Sequence, residues 1–305
     1  MTAKPFATPY KHAYFEGQIV PIEEAKISIM TNALHYGGGI YGGFKIVDTP
    51  KGQAIFRLDD HIERMKKGVD SLGFRFEFDP AKIKQSVMDL AKKNQISTPT
   101  YVRPIIYRSD TNLSPDIAGE YQIAIYMLKI ESYFDQTKGI KVQVSDWVRN
   151  NSKSIPPSTK ATGGYINSAL AIDAAHKDGF DSAIMLDKHG NVSEGAVMNI
   201  FIVKNGKLIT PSKDSDMLAG ITRKTILELA KEQGIEAEER TVKKAELYAA
   251  DEVFFTGTAT GITWCGQIDE QRISPVMGRI TAELIDNFNN LPQTRPDLYT
   301  KIGDA

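Results

Sequence analysis

Cysteine is nearly missing from this chain: Cys265 is alone among 305 residues, so no internal disulfide can form, and a reducing compartment fits. Neither sign of charge is in excess. Thirty-seven basic and 38 acidic side chains leave a net charge of −1, which gives no electrostatic footprint for nucleic acid or an anionic membrane. Long hydrophobic runs are absent too. No window approaches 18 uncharged apolar residues, so no membrane-spanning helix is expected. The N-terminal stretch MTAKPFATPYKHAYFEG lacks the apolar run of a signal peptide. A soluble, cytoplasmic protein is the expectation. GxSxG and HExxH are also lacking, and His12, His35, His61, His176 and His189 have no ligand spacing, so neither a serine-hydrolase triad nor a metal site is expected.

What is present is an ordinary globular balance, 41% apolar and 25% charged, which argues against a disordered chain. The length allows two domains. A hairpin is expected over 13–20 around Gly17, and strands over 40–47 and 53–56. Ile62, Met65, Val69 and Leu72 recur at helical spacing over 59–72, closed by Gly73. Asp79 as N-cap and Pro80 at the first helical position open another helix, with Ile83, Val87 and Leu90 as its stripe. Further strands are expected over 101–107 and 121–128. The polar, turn-forming segment 131–139 reads as the connection between a small domain over 1–130 and a larger one over 140–305. In the latter, strands expected over 140–144, 182–186, 199–203 and 252–256 alternate with helices over 167–177, 221–233 and 276–289. The expected class is α/β, two domains with mixed sheets.

Gly37-Gly38-Gly39-Ile40-Tyr41-Gly42 satisfies GxGxxG literally, but Gly43-Phe44-Lys45-Ile46-Val47 follows. That continuation is strand-like, where a dinucleotide site needs a helix. The informative stretch is IPPSTKATGGYIN, residues 155–167. A loop lysine is ordinarily solvated surface. Around Lys160, however, two prolines stiffen the approach and Gly163-Gly164 permit close backbone passage before Tyr165. Crowded, pre-positioned surroundings are what a Schiff-base lysine requires. Downstream, Ser193-Glu194-Gly195 alone would be a surface turn. Gly220-Ile221-Thr222-Arg223 opens a helix whose first N–H groups can bind an anion, or Thr222 simply caps it. Thr256-Gly257-Thr258-Ala259 ends a strand with small hydroxylated residues.

Seven segments stand in order across residues 14–290. They are Leu34-His35-Tyr36-Gly37, Phe56-Arg57 with His61, Tyr101-Val102-Arg103-Pro104, Lys160-Ala161-Thr162-Gly163-Gly164-Tyr165, Ser193-Glu194-Gly195, Gly220-Ile221-Thr222-Arg223 and Gly257-Thr258-Ala259. Taken together, the sequence resembles the pyridoxal-phosphate enzymes of fold type IV, the D-amino acid aminotransferase-like fold. Within them it is most similar to the branched-chain amino acid aminotransferases. The resemblance implies pyridoxal 5'-phosphate as cofactor, a Schiff base on Lys160, and transfer of the amino group of leucine, isoleucine or valine to 2-oxoglutarate. It further implies Glu194 at the pyridine nitrogen and Tyr165 at the phenolic oxygen. Arg57, Ile221, Thr222 and Thr258 would hold the phosphate. Tyr101 with Thr258 and Ala259 would hold the α-carboxylate, while Arg103 and Tyr36 would meet glutamate's distal carboxylate. Tyr36 would reach across from a second copy in a homodimer or an assembly of dimers. Tyr41, Tyr101 and Trp264 are candidate walls for the aliphatic side chain, with plain core packing the competing reading for Trp264.

Two departures from the family pattern bear on specificity. Where relatives commonly read Phe-Glu-Gly-x-Arg, this chain reads Tyr41-Gly42-Gly43-Phe44-Lys45, losing an acid and exchanging an arginine for a lysine. Val197 replaces a small residue. D-amino acid and (R)-selective amine transaminases of the same fold are the alternatives, and Tyr101-Val102-Arg103-Pro104 separates them from the branched-chain pattern.

Overall fold

Alternation of apolar and polar residues builds the longest strand pair of the chain, β7 (Thr100–Arg108) against β8 (Tyr121–Ile130). The computed structural model describes residues 7–130, 134–135 and 137–303, so part of the expected 131–139 connection lies outside the described residues. The chain divides into two units. The first takes its described residues from Met1–Tyr133, Thr159–Gly163 and Pro292–Ala305, and the second from Phe134–Ser158 and Gly164–Leu291.

In the first unit a nine-stranded sheet forms from β1 (Ala7–Pro9), β2 (His12–Phe15), β3 (Gln18–Pro21), β4 (Gly39–Tyr41), β5 (Phe44–Thr49), β6 (Gly52–Phe56), β7, β8 and the C-terminal strand Tyr299–Lys301. Its pairings are antiparallel. The expected hairpin is β2–β3, turning at Glu16 and Gly17, both at positive φ. The strand expected over 40–47 is instead two strands, β4 and β5, because Gly42 and Gly43 interrupt it and both pieces pair with β7. The helices α2 (Leu58–Leu72) and α3 (Pro80–Asn94) follow the expected signals, and the short α1 (Asn32–Tyr36) is one not expected from the sequence. Asp79 accepts a hydrogen bond from Lys82 N at 3.0 Å, and Gly73 closes α2 in the left-handed conformation.

Period two decides what each sheet face does. Phe44, Ile46, Val102, Ile106, Ile125 and Met127 join α2 and α3 residues such as Leu58, Ile62, Val87 and Leu90 in one buried core. Each such burial contributes about 1.5–3 kcal/mol. The residues between them, Lys45, Tyr101, Arg103 and Tyr126, therefore point to the opposite face.

The second unit holds a ten-stranded sheet in which parallel and antiparallel pairs mix. Its strands are β9 (Ile140–Val144), β10 (Ser182–Leu186), β11 (Asn191–Gly195), β12 (Asn199–Lys204), β13 (Lys207–Pro211), β14 (Ala237–Arg240), β15 (Val242–Lys243), β16 (Glu252–Gly257), β17 (Gly261–Ile268) and β18 (Gln271–Arg272). Its helices include α4 (Tyr165–Lys177), α5 (Ile221–Glu232), α6 (Lys244–Tyr248) and α7 (Arg279–Asn289). Helix α7 starts three residues later than expected. The Glu252 carboxylate accepts from Ile280 N and Thr281 N at 3.1 and 2.8 Å, and so fixes the first turn there. Cys265 lies in this unit's core, where burial pushes its thiol up to about 12 and leaves it an inert apolar filler. Among the described residues no helix is long and apolar enough to cross a membrane, and no group of His, Cys, Asp and Glu could hold a metal ion.

Candidate active site

In the first unit, the short segment Thr159–Gly163 is laid against β4. Tyr41 N donates to the Lys160 carbonyl at 3.3 Å, Ala161 forms an isolated bridge with Ile40, and Thr162 Oγ1 donates to Gly37 O at 2.8 Å. Gly37 must be glycine here. Its φ is +65°, and a Cβ would stand 2.7 Å from Gly163 Cα. The glycine run that mimics a dinucleotide motif thus serves as a platform for the Lys160 loop.

Lys160 itself adopts φ +56°, the left-handed region that non-glycine residues enter at a cost. Its Nζ lies 4.5 Å from the centroid of the Tyr41 ring. The guanidinium carbon of Arg103 lies 4.5 Å from that same centroid and 5.1 Å from the Tyr101 ring. Four of the expected residues, Tyr41, Tyr101, Arg103 and Lys160, are thereby gathered into one cluster. Gly43 makes room for it, since a Cβ at that position would meet Tyr101 Oη at 2.0 Å. Behind the cluster His61 is buried, and its pKa falls well below the ordinary value through desolvation first, then the cations Arg64, Lys160 and Arg57. It is a neutral imidazole.

Arg57 stands at the N-terminus of α2 in the left-handed region, is buried, and donates from Nη1 to Asp60 at 2.9 Å. Tyr36 lies on an exposed stretch with Met30 and Leu34, where its hydroxyl donates to Leu113 O at 2.6 Å.

In the second unit Glu194 is not on a surface turn. It sits inside β11 at 3% exposure, because antiparallel pairing with β10 carries the whole segment into the sheet. Its Oε1 accepts from Arg149 Nε at 2.9 Å and Nη2 at 2.8 Å. Its Oε2 accepts from Asn199 Nδ2 at 3.1 Å and Leu218 N at 3.2 Å. Such donors favour the ionised carboxylate. Leu218 stands two residues before Gly220, where α5 opens without a side-chain cap, so the carboxylate and the helix N-terminus are tied together. Ile221 and Thr222 are buried in that first turn. Thr258 and Ala259 are half-buried in the turn joining β16 to β17. On either side of them the hydroxyls of Thr256 and Thr260 are buried without a hydrogen-bond partner. Tyr165 is half-buried as the first residue of α4. Val197 is 45% exposed and crowds nothing within this unit's core. Trp264 packs its ring where a Cβ on Gly139 would approach within 2.6 Å, so it belongs to the interior of its own unit.

Sequence reasoning missed Arg149 and Asn199. Nothing local marks Arg149, whose partner is 45 residues away along the chain. Asn199 carried a faint signal, as a polar residue opening an otherwise apolar strand, NIFIV.

Residues 40–268 match the family described as amino-transferase class IV. The chain is similar to a probable branched-chain-amino-acid aminotransferase of Aquifex aeolicus (strain VF5), 40% identical over 295 residues covering 95% of this chain and 94% of the relative. Among solved structures it resembles the branched-chain amino acid aminotransferase of Escherichia coli, with a TM-score of 0.92, 32% identity and coverage of 96% of this chain and 100% of that one. It also resembles the branched-chain amino acid aminotransferase of Thermobaculum terrenum in its PLP-form, with a TM-score of 0.88, 30% identity and coverage of 97% and 99%.

Proposed function

Because the chain belongs to the class IV aminotransferases, we propose that it moves the amino group of L-leucine, L-isoleucine or L-valine to 2-oxoglutarate, with pyridoxal 5'-phosphate carried on Lys160. The observation that carries this reading is the Tyr41 ring, which has Lys160 Nζ and the Arg103 guanidinium each 4.5 Å from its centroid. A nucleophilic amine and a carboxylate receptor share one aromatic wall. Such a wall takes an aliphatic side chain, and the arginine at its edge takes glutamate's second carboxylate.

The second unit's residues fit the cofactor. The unpartnered hydroxyls of Thr256 and Thr260, the uncapped start of α5 at Ile221 and Thr222, and Thr258 in the neighbouring turn offer donors to a phosphate. Arg57, near its Asp60 partner, would add a cation to that set. Glu194, held ionised by Arg149, suits a protonated pyridine nitrogen, and Tyr165 would donate to the phenolic oxygen. When bound, the cofactor supplies the electron sink that lets the α-proton leave. Lys160 Nζ takes that proton from the substrate's Cα. Tyr101, with Thr258 and Ala259, orients the α-carboxylate, and neutral His61 behind the lysine adds no further positive charge to oppose an ammonium there.

The test is a half-reaction. Cofactor-loaded protein mixed with excess L-leucine should lose its visible absorbance rapidly, and the same treatment with D-alanine or (R)-1-phenylethylamine should leave it nearly intact. Preferential bleaching by either of the latter would move the function to another branch of the same fold. The reading extends to assembly: Tyr36, on its exposed apolar stretch, would complete the site of a second copy. Sedimentation of a fully active monomer would refute that extension.

A further inference from the structure

Glycine is among the weakest helix formers, and alanine is the strongest. Helix α2 nevertheless carries Gly68 in its interior, buried on the face it shares with His61 and Met65. There the helix approaches the Lys160 loop too closely for any side chain. A Cβ on Gly68 would stand 2.7 Å from the Thr159 carbonyl oxygen and 3.3 Å from Ile40 Cδ1. Thr159 is itself buried, and its carbonyl is backbone, with no rotamer to turn aside. That oxygen lies in the peptide plane that ends on Lys160, so moving it turns the Lys160 amide with it. The following plane is held as well, since Tyr41 N donates to the Lys160 carbonyl at 3.3 Å. Between the two planes sit the torsions of Lys160, whose φ of +56° persists only where its surroundings over-determine it.

We infer that Gly68 is a positioning residue for the amino-group transfer. Its missing side chain lets α2 seat against the Thr159 carbonyl and hold the Lys160 backbone left-handed, the conformation in which Nζ reaches the Tyr41 ring. The inference rests on the aminotransferase reading above and deepens it, for Gly68 acts through Lys160 and not on the substrate. The lysine stem is flexible. A misdirected Cα–Cβ bond therefore does not remove Nζ from the site, but leaves it out of reach of the substrate's Cα for more of the time. Turnover then falls while substrate binding, which uses other side chains, does not.

The test separates turnover from binding in the cofactor-loaded protein. Gly68→Ala should lower kcat for L-leucine with 2-oxoglutarate about tenfold or more, the scale of a misplacement approaching an ångström, and leave KM within about threefold. Binding alone is read with 4-methylvalerate, which has a leucine-like skeleton and one carboxylate but no amino group to react. Its dissociation constant, by calorimetry, should stay within about threefold of the wild type. Adding Ile40→Val removes the Cδ1 contact at 3.3 Å and leaves the carbonyl overlap at 2.7 Å. The double variant should keep the low kcat, and it carries the same test where Gly68→Ala alone does not fold. Recovery of kcat in the double variant would trace the loss to side-chain crowding and overturn the inference. So would a Gly68→Ala kcat within about threefold of the wild type, or a loss of 4-methylvalerate affinity as large as the loss of kcat. Each of these outcomes leaves the aminotransferase reading intact. A wild-type protein that reacts with neither L-leucine nor L-glutamate overturns the reading and this inference together.

Discussion

Arg149 and Glu194 form a buried ion pair in which Nε and Nη2 of the arginine both donate to one carboxylate oxygen, at 2.9 and 2.8 Å. The other oxygen is left to Asn199 and the Leu218 amide. The carboxylate is thus held from two sides, and Arg149 is in turn anchored on the Ser168 hydroxyl at 3.3 Å. Its charge and its direction are both fixed before any ligand arrives.

Removing one member of such a pair leaves a buried charge without compensation. Arg149→Met should therefore cost about 3–5 kcal/mol of stability, measured by denaturant unfolding. The combination with Glu194→Gln, which removes the orphaned charge, should recover a substantial part of that loss. Strictly additive losses in the double variant would show that the two side chains are not coupled as described.

Gly43 offers a second test, one of space. A methyl group there would overlap the Tyr101 hydroxyl at 2.0 Å, so Gly43→Ala should displace the ring and raise KM for both L-leucine and L-glutamate by about tenfold or more. Adding Tyr101→Phe removes the worst of the clash, the oxygen, and leaves the ring carbon Cζ at 2.7 Å as the remaining close contact. The double variant should regain thermal stability over Gly43→Ala alone, by about 1–3 kcal/mol if the clash is its main defect. A Gly43→Ala protein with wild-type kinetics would mean that Tyr101 is not confined by this glycine.

What the sequence made legible follows the distance over which each feature is encoded. The Asp79-Pro80 helix start, the Gly73 stop and the Lys160 loop are local signals, and the structure carries each of them. Glu194 was legible through its motif, but its interior setting was not, because the β10 pairing that buries it is non-local. Arg149 was invisible for the same reason. The edge strand β14, Ala237–Arg240, reads AEER and shows no alternation. It is a strand because β13 pairs with it in parallel. The late start of α7 was set by Glu252, a residue on another element.

On the proposed reading, Arg103 is the residue that would separate the two amino-acid substrates. It lies against the Tyr41 and Tyr101 rings; burial alone would lower its pKa, the neighbouring tyrosines more than offset this, and the guanidinium stays charged. Arg103→Ala should raise KM for L-glutamate by about a hundredfold while L-leucine suffers less than about tenfold, since only glutamate loses a charge-assisted contact. Equal losses for both would contradict its assignment to the distal carboxylate.

Lys45 ties stability to pH with a definite sign. Its folded-state pKa is about 8 against an ordinary 10.5, so the folded chain releases this proton at lower pH than the unfolded chain does. The cost of burying the ammonium is fully present below pH 8. It is relieved as pH rises through the window from 8 to 10.5, where the unfolded state still binds the proton. Without substrate, Lys45→Met should therefore melt higher than the wild type at about pH 7, with the advantage shrinking towards about pH 10.5. A Lys45→Met protein that melts no higher than the wild type at neutral pH would mean that burial imposes no such cost on the Lys45 ammonium.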